Sequence, residues 1–580
     1  MCVLACFTDA SMAELLAEDD VLDVVAPAVT RTISNGSQSL SKGAKTANDF
    51  KRNLKGIVQV FLKYVKPSGK QPWTKQLPHS STGSGFICDV KNRMILTNAH
   101  CAKHARTILL RKQGDFDKYE ARILGITHQT DLAILTVSDE RFWNEAEDVE
   151  FGSLPQMQQE VDVIGYPRGG DTICITNGVV SRIDWHGYTH SGGERNLTVQ
   201  IDAAINPGSS GGPALSDGKL IGVAFQGLSG SGSELIGYII PVPVVRRVLE
   251  DFANSCKEMN VALAHPLLPL RQGKVKALEG ASECTAFTTW PEKFSNGKTV
   301  LPFKGFARFS AEFQESENPY LRLSVSLPLN ESGVIIRKVS QVSNLDKVLM
   351  KNDVLVSVDG HKIANDGRCC ISSLPPMDFR SIITLKHVGE PLSMKIYRKG
   401  KLIEIQTVAE NPPRIVPIVD YNRFVPYVMW SGLVFIPFVE RRISKGGAWY
   451  RRQACQYLEL KGREYTDINQ QVVIVSAILP HRVSIGYDDS KLEITPATPV
   501  YQINGKDIHS LIDVADVIAS AKAQSEKWIN IEFCNDSVIV LPLKEGMDAT
   551  LDLQKDFGME KPFSKDIDKE LRARGKSFYE

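Results

Sequence analysis

Between Gly56 and about Phe252, short apolar runs alternate with turn-forming residues. They are Ile57–Val65, Gly85–Cys88, Arg93–Thr97, Thr107–Arg111, Tyr119–Thr127, Leu132–Val137 and Val161–Gly165, then Gly178–Ile183, Leu197–Asp202, Leu220–Ala224 and Ile236–Ile240. Runs this short, bounded by Gly, Pro, Asn and Asp, predict β-strands. With no helical segments between them, they predict an antiparallel barrel or sandwich and exclude an alternating βαβ sheet. At Pro243–Phe252 the period changes: Val244, Val245, Val248, Leu249 and Phe252 fall on one face of a helix that closes the domain.

Beyond that helix one pattern occurs twice. Asp353-Val-Leu-Val-Ser-Val-Asp-Gly360-His-Lys-Ile363 is matched by Thr498-Pro-Val-Tyr-Gln-Ile-Asn-Gly505-Lys-Asp-Ile508. In each, an Asx-Gly pair joins a strand to a second short strand, the signature of a tight hairpin. Each is preceded by an apolar run (Gly333–Val339, Gln471–Ile478) and followed by a strand (Ser393–Arg398, Trp528–Cys534). Two modules of like architecture are expected, joined through Pro412, Pro413 and Pro417. The expected layout is an N-terminal extension and linker over 1–50, a β domain over 51–255, modules over 256–411 and 412–550, and an exposed charged tail over 551–580. In the extension, Met12–Val25 reads as a short helix and Ser34–Lys45 as a linker.

At 580 residues the chain exceeds a single hydrophobic core, consistent with that division. Lys and Arg total 68 against 67 Asp and Glu, a net charge of +1, which argues against electrostatic nucleic-acid binding. The basic clusters Lys42–Lys55 and Arg441–Arg452 read as solvated surface. Eleven scattered cysteines, with neither paired CxxC spacing nor a regular framework, read as free thiols of a reducing compartment. Cys101 has Cys88 as its only near partner, and a reduced thiol is expected there. No apolar run reaches the length of a membrane span. The acidic residues Glu14, Glu18, Asp19 and Asp20 argue against a transit peptide, so cytosol or nucleus is expected, with plastid or mitochondrion as the alternative.

Three segments carry candidate chemistry. Met94-Ile-Leu-Thr-Asn-Ala-His100 is an apolar strand that ends in a histidine. Thr130-Asp131-Leu-Ala-Ile-Leu135 opens an apolar strand with an aspartate, and Asp202-Ala-Ala-Ile-Asn-Pro-Gly-Ser-Ser210-Gly-Gly-Pro213 is a loop of small residues. Alone, each is an ordinary strand end or turn. Together they supply a hydroxyl nucleophile (Ser210), a base (His100) and a carboxylate that orients the base (Asp131). The glycines around Ser210 permit amides to converge on an oxyanion, across Gly208, Ser209 and Ser210, with Gly208 and Ser210 the natural donors. Gly208-Ser-Ser-Gly-Gly212 also matches G-x-S-x-G, but that elbow needs a following helix and a downstream histidine, whereas here Pro213 and a β run follow and the best histidine lies upstream. His104, His186 and His190 lack metal spacing and are expected at the surface; no metal or cofactor is implied.

The motifs TNAHC, TDLAIL, GYPRGGDT and DAAINPGSSGGP resemble the HtrA/DegP (Deg) serine proteases, above all the plant and algal branch. The resemblance implies a chymotrypsin-like double β-barrel followed by two PDZ-like α+β domains, in a mainly β chain. It implies His100, Asp131 and Ser210 as the triad of a serine endopeptidase that needs neither ATP nor metal and acts on unfolded or damaged proteins. It also implies a trimer-based homo-oligomer, trimer or hexamer. A proteolytically idle chaperone or scaffold is the competing function. Secreted relatives of this fold carry an aspartate just before the nucleophile, where this chain has Ser209. That argues for loop ordering, not zymogen cleavage, with Lys66–Thr82, Arg182–Asn196 and Gln226–Glu234 as candidate control loops. Ala204, Ile205, Ala224 and Phe225 are expected to line a specificity pocket for a small or medium apolar residue. Gly305 and Phe306 in one module, and Gly432, Leu433, Val434 and Phe435 in the other, are the candidate PDZ peptide-binding loops.

Overall fold

The computed structural model describes residues 54–192, 194–230, 233–261, 263, 300–371, 374–418, 424–440, 447–460, 467–487 and 498–576. The expected N-terminal helix and linker, most of the basic cluster Lys42–Lys55 and the first half of Arg441–Arg452 lie outside these residues.

Twelve strands build two closed barrels. The first comprises β1 (Ile57–Tyr64), β2 (His79–Asp89), β3 (Met94–Thr97), β4 (Ala105–Lys112), β5 (Tyr119–Thr127) and β6 (Leu132–Val137), in the order β1-β2-β3-β6-β5-β4. The second comprises β7 (Glu160–Gly165), β8 (Cys174–Tyr188), β9 (Glu194–Ile201), β10 (Pro213–Ser216), β11 (Lys219–Gly230) and β12 (Ser233–Pro241), in the order β10-β11-β12-β9-β8-β7.

Strand β6 shows why the barrels pack together. All six of its residues are buried, so it lacks the polar face of an ordinary outer strand. Ala133, Leu135 and Val137 point into the first barrel with Val58, Val60, Ile87 and Ile95. Leu132 and Ile134, on the opposite face, join Phe86, Met94 and Leu96 in a core shared with the second barrel. Side chains that alternate across a strand thus serve two cores, and each buried Leu or Ile contributes about 1.5–3 kcal/mol. The ends of β3 and β6 are thereby set against the second barrel.

The helix Val242–Glu258 closes the domain, with Pro243 in its first turn and Val244, Val245, Val248, Leu249, Phe252 and Cys256 buried. It also seats the first module. His387 bonds Glu250 at 2.7 Å and Asp251 at 3.1 Å, and Arg247 lies over the Phe306 ring at 5.3 Å.

The doubled hairpins form as expected. Ser357 and Val358 pair with Lys362 and His361, and Gln502 and Ile503 with Asp507 and Lys506. Asp359 and Gly360, like Asn504 and Gly505, have positive φ, as a two-residue turn of this hand requires. The first copy sits in a six-stranded sheet. In the second, a three-stranded and a four-stranded sheet enclose the helix Leu511–Ala523.

Several expectations change. The end of the chain is no exposed tail among the described residues. Ile567 and Leu571 of the helix Lys565–Ala573 are buried in the second module beside Val514 and Ile518, because four-residue spacing puts them on one face. Of the candidate control loops, His79–Thr82 belongs to β2, and Arg182–Asn196 is mostly the β8–β9 hairpin, paired from Arg182–Gln200 to Tyr188–Glu194. Gln226–Gly230 and Ser233–Glu234 lie in β11 and β12, with residues 231–232 outside the described set.

Candidate active site

His100 sits in a single helical turn, Ala99–Cys101, at the end of β3. Asp131 precedes β6 with φ +55°, a left-handed conformation that turns its side chain back toward β3. Its carboxylate is buried and accepts twice from the same residue. Oδ1 takes the main-chain N–H of His100 at 2.9 Å, and Oδ2 takes the ring Nδ1 at 2.6 Å. The proton is thereby fixed on Nδ1, and Nε2 is left for the cleft. Burial works against a charge on the imidazole, but the Asp131 carboxylate and the neighbouring Cys101 together outweigh it and hold the His100 proton affinity well above the usual histidine value.

Ser210 comes from the second barrel, and its loop is held from both sides. Gly211 N–H donates to Ala224 O at 2.8 Å, and Ala224 N–H to Gly212 O at 2.9 Å. From β2 of the first barrel, Ser84 adds two bonds: its N–H to Ser210 O at 2.9 Å, and its hydroxyl to Gly208 O at 2.7 Å. The same hydroxyl accepts from Tyr166 N–H at 2.7 Å, so one buried side chain clasps both barrels. Sequence reasoning missed Ser84; its only signal is the small-residue stretch Thr82-Gly-Ser-Gly85.

The amides around Ser210 differ in availability. Pro207 O accepts from Arg168 N–H at 2.8 Å, and in a planar trans peptide the following Gly208 N–H points the opposite way. Gly208 has φ +107°, and a Cβ there would lie 2.5 Å from Tyr166 O, so glycine is required. Ser209 N–H is already engaged with Asn206 O at 2.9 Å, which removes it from the expected donor set. The Ser210 hydroxyl is turned to Phe225 O at 3.5 Å, not to the imidazole.

His100, Asp131 and Ser210 line one cleft of about 700 Å³. Ala204, Ile205 and Phe225 line it too, together with Gln226, Gly227 and Ile236. Ala224 does not: it is fully buried behind the loop, because alternation along β11 turns Phe225 to the cleft instead. His190, expected at the surface, is buried beside Asp131. Among the described residues no cluster of His, Cys, Asp and Glu is arranged to hold a metal ion, and the eight described cysteines are free. Cys88 bonds Met94 O at 3.4 Å, and Cys101 bonds Ser210 O at 3.8 Å.

Neither candidate peptide loop offers an open strand edge. Phe306 is buried and its N–H donates to Gln129 of the protease domain at 2.7 Å, while a Cβ on Gly305 would meet the same Gln129 at 2.5 Å. In the second module Leu433–Pro437 is the middle strand of three, paired with Val428–Trp430 on one side and Val473–Ile478 on the other.

Comparison with known proteins agrees with this architecture. Residues 83–223 match the trypsin-like peptidase domain, and residues 416–566 match the PDZ domain. A putative protease Do-like 3, mitochondrial, of Arabidopsis thaliana is 30% identical over 543 residues, covering 93% of this chain and 85% of the relative. Protease Do-like 2, chloroplastic, of the same plant is 33% identical over 521 residues, covering 89% and 75%. Among solved structures, an HtrA-type protease AlgW with decapeptide aligns with 18% identity and a TM-score of 0.43, covering 64% of this chain and 99% of that one. No helix among the described residues is long and apolar enough to cross a membrane. With a trypsin-like domain, a PDZ domain and Do-like relatives matched over most of their length, the chain belongs to the Deg/HtrA (Do-like) family of serine proteases.

Proposed function

We propose that the chain is an ATP-independent endopeptidase for unfolded or damaged proteins, with Ser210 as nucleophile, His100 as general base and acid, and Asp131 as the carboxylate that orients it. The observation that carries this reading is the Asp131 carboxylate gripping His100 at both main chain and ring, in a cleft that Ser210 enters from the other barrel. Rotation about the Cα–Cβ bond of Ser210 brings the hydroxyl from Phe225 O toward His100 Nε2. The imidazole takes the hydroxyl proton as Oγ adds to the substrate carbonyl, and the developing oxyanion is met by Gly208 and Ser210 N–H. Collapse breaks the C–N bond, with His100 returning the proton to the leaving amine. Water activated by His100 then cleaves the acyl ester.

The apolar floor of Ile205, Phe225 and Ile236 supports a preference for a small or medium apolar residue before the scissile bond. Peptide engagement is assigned to the PDZ-like modules. The first serves as a PDZ-like domain by virtue of the hairpin it shares with the second, and the paired strand of the second favours a role in contacts between subunits of a trimer-based oligomer. The mitochondrial and chloroplastic relatives favour an organelle as its site of action. The test is cleavage of unfolded casein without ATP: wild type should degrade it and Ser210→Ala should not. Equal activity of the two would leave only a binding role.

A further inference from the structure

His190 is the strongest group outside the triad. It lies in the turn between β8 and β9, its side chain only 4% exposed, with Nε2 at 3.8 Å from Asp131 Oδ1. The same Nε2 is 2.9 Å from Nδ1 of His128, which stands in the β5–β6 turn three residues before Asp131. The His190 ring centroid is 6.0 Å from that of His100 and 5.2 Å from that of His128. A buried imidazole is commonly no more than a satisfied core residue. This one crosses from the second barrel to touch the carboxylate of the first.

Its turn is tied to the cleft wall as well. Thr189 N–H donates to the Gln226 side chain at 3.0 Å, and Ser191 Oγ donates to Tyr188 O at 3.1 Å. Tyr188, fully buried and bonded to Leu197 O at 2.6 Å, sets its ring 4.6 Å from Phe225. One hairpin therefore contacts both the residues facing the substrate and the acid behind the base. Burial, with Lys103 and His104 nearby, lowers the His128 proton affinity to about 3, so His128 stays neutral and its Nδ1 can accept a hydrogen bond. Nε2–H is then the His190 tautomer that satisfies His128 while presenting a positive edge to Asp131 Oδ1.

We propose that His190 is a positioning residue for Asp131: shared with His128, its Nε2–H edge packs beside Oδ1 and keeps the carboxylate from rotating off the His100 ring. The proposal rests on the triad reading above. It explains how contacts of the β8–β9 hairpin with the substrate-facing strand bear on the reacting atoms, since small misplacements of a catalytic group are costly.

The experiment is steady-state hydrolysis of a fluorogenic apolar peptide by His190→Ala, His190→Gln, His128→Ala and Ser210→Ala, together with the rate at which a fluorophosphonate labels Ser210. His190→Ala should lower kcat and labelling by about 10-fold with KM changed by less than about 2-fold, and His190→Gln, which keeps an N–H of similar reach, should recover most of the loss. A His190→Ala enzyme with unchanged kcat overturns the proposal, as does a His190→Gln enzyme no better than His190→Ala. Should His190→Ala fail to fold, His128→Ala unties the ring without removing it, and an unchanged kcat there overturns the proposal equally. An active Ser210→Ala would instead sink the triad itself, a separable result.

Discussion

Gln129, two residues ahead of Asp131, accepts the main-chain N–H of Phe306 at 2.7 Å, so the first module holds the very turn that carries the carboxylate gripping His100. The bond spans the two domains, and Phe306 itself is buried.

Removing the Gln129 side chain should expose that dependence. Gln129→Ala leaves a buried N–H without its partner, which costs about 1–3 kcal/mol. We expect kcat to fall while the protease barrels keep their fold, and Phe306 to become more accessible to hydrogen exchange. Unchanged exchange at Phe306 and unchanged kcat would show that the contact transmits nothing.

Asp131→Asn should be the most damaging conservative change near the base. An amide in place of the carboxylate loses the charge and can hold the wrong imidazole tautomer, which in enzymes of this type costs about four orders of magnitude in kcat. Because Asp131 raises the proton affinity of His100, its neutralisation should also move the acid limb of the kcat/KM profile to lower pH. A profile whose acid limb stays in place would argue against His100 as the group titrating there.

Ser84→Ala tests the clasp between the barrels. The change strips a hydrogen bond from Gly208 O and from Tyr166 N, both buried, at about 1–3 kcal/mol for each group left unsatisfied. The melting temperature should drop and kcat should fall through the displaced Gly208 amide. A stable variant with wild-type kcat would mean that the oxyanion loop is held without it.

The docking of the first module should depend on pH. Hydrogen bonds to Asp251 and Glu250 raise His387 from its ordinary 6.5 to about 9. A raised folded-state value means that the stabilisation is complete below about 6.5 and is lost as pH rises through about 9. Melting of the Ser210→Ala protein should therefore decline from pH 7 to pH 10, and His387→Gln should flatten that decline. Parallel curves for the two proteins would exclude His387 as its source.

Legibility in the sequence followed the range of the forces involved. Strands β5 and β6 match the expected limits because their apolar runs end at turns on both sides. Strand β10 escaped notice because it is four residues long and opens on Pro213. Strand β8 runs five residues past its apolar stretch at the C-terminal end, carried by cross-strand pairing with β9 that a local pattern does not contain. That His100, Asp131 and Ser210 share one cleft was legible because their residue types, in that combination, point to one chemistry. The contacts of Ser84 and His190 were not, since their partners lie elsewhere in the chain: Gly208 and Tyr166 for one, His128 and Asp131 for the other. Gly305 and Phe306 show the converse. A glycine–aromatic pair looks the same whether it receives a peptide terminus or the side chain of Gln129.

The Ser210 hydroxyl, resting on the Phe225 carbonyl, has a consequence for selectivity. On the proposed mechanism, a hydroxyl parked against main chain keeps its proton and would ignore small electrophiles that drift into the cleft. A polypeptide laid along β11 would compete for that same main chain and set the hydroxyl free to turn. Restraint toward bystanders would then be a matter of which acceptor the serine faces until a suitable chain arrives.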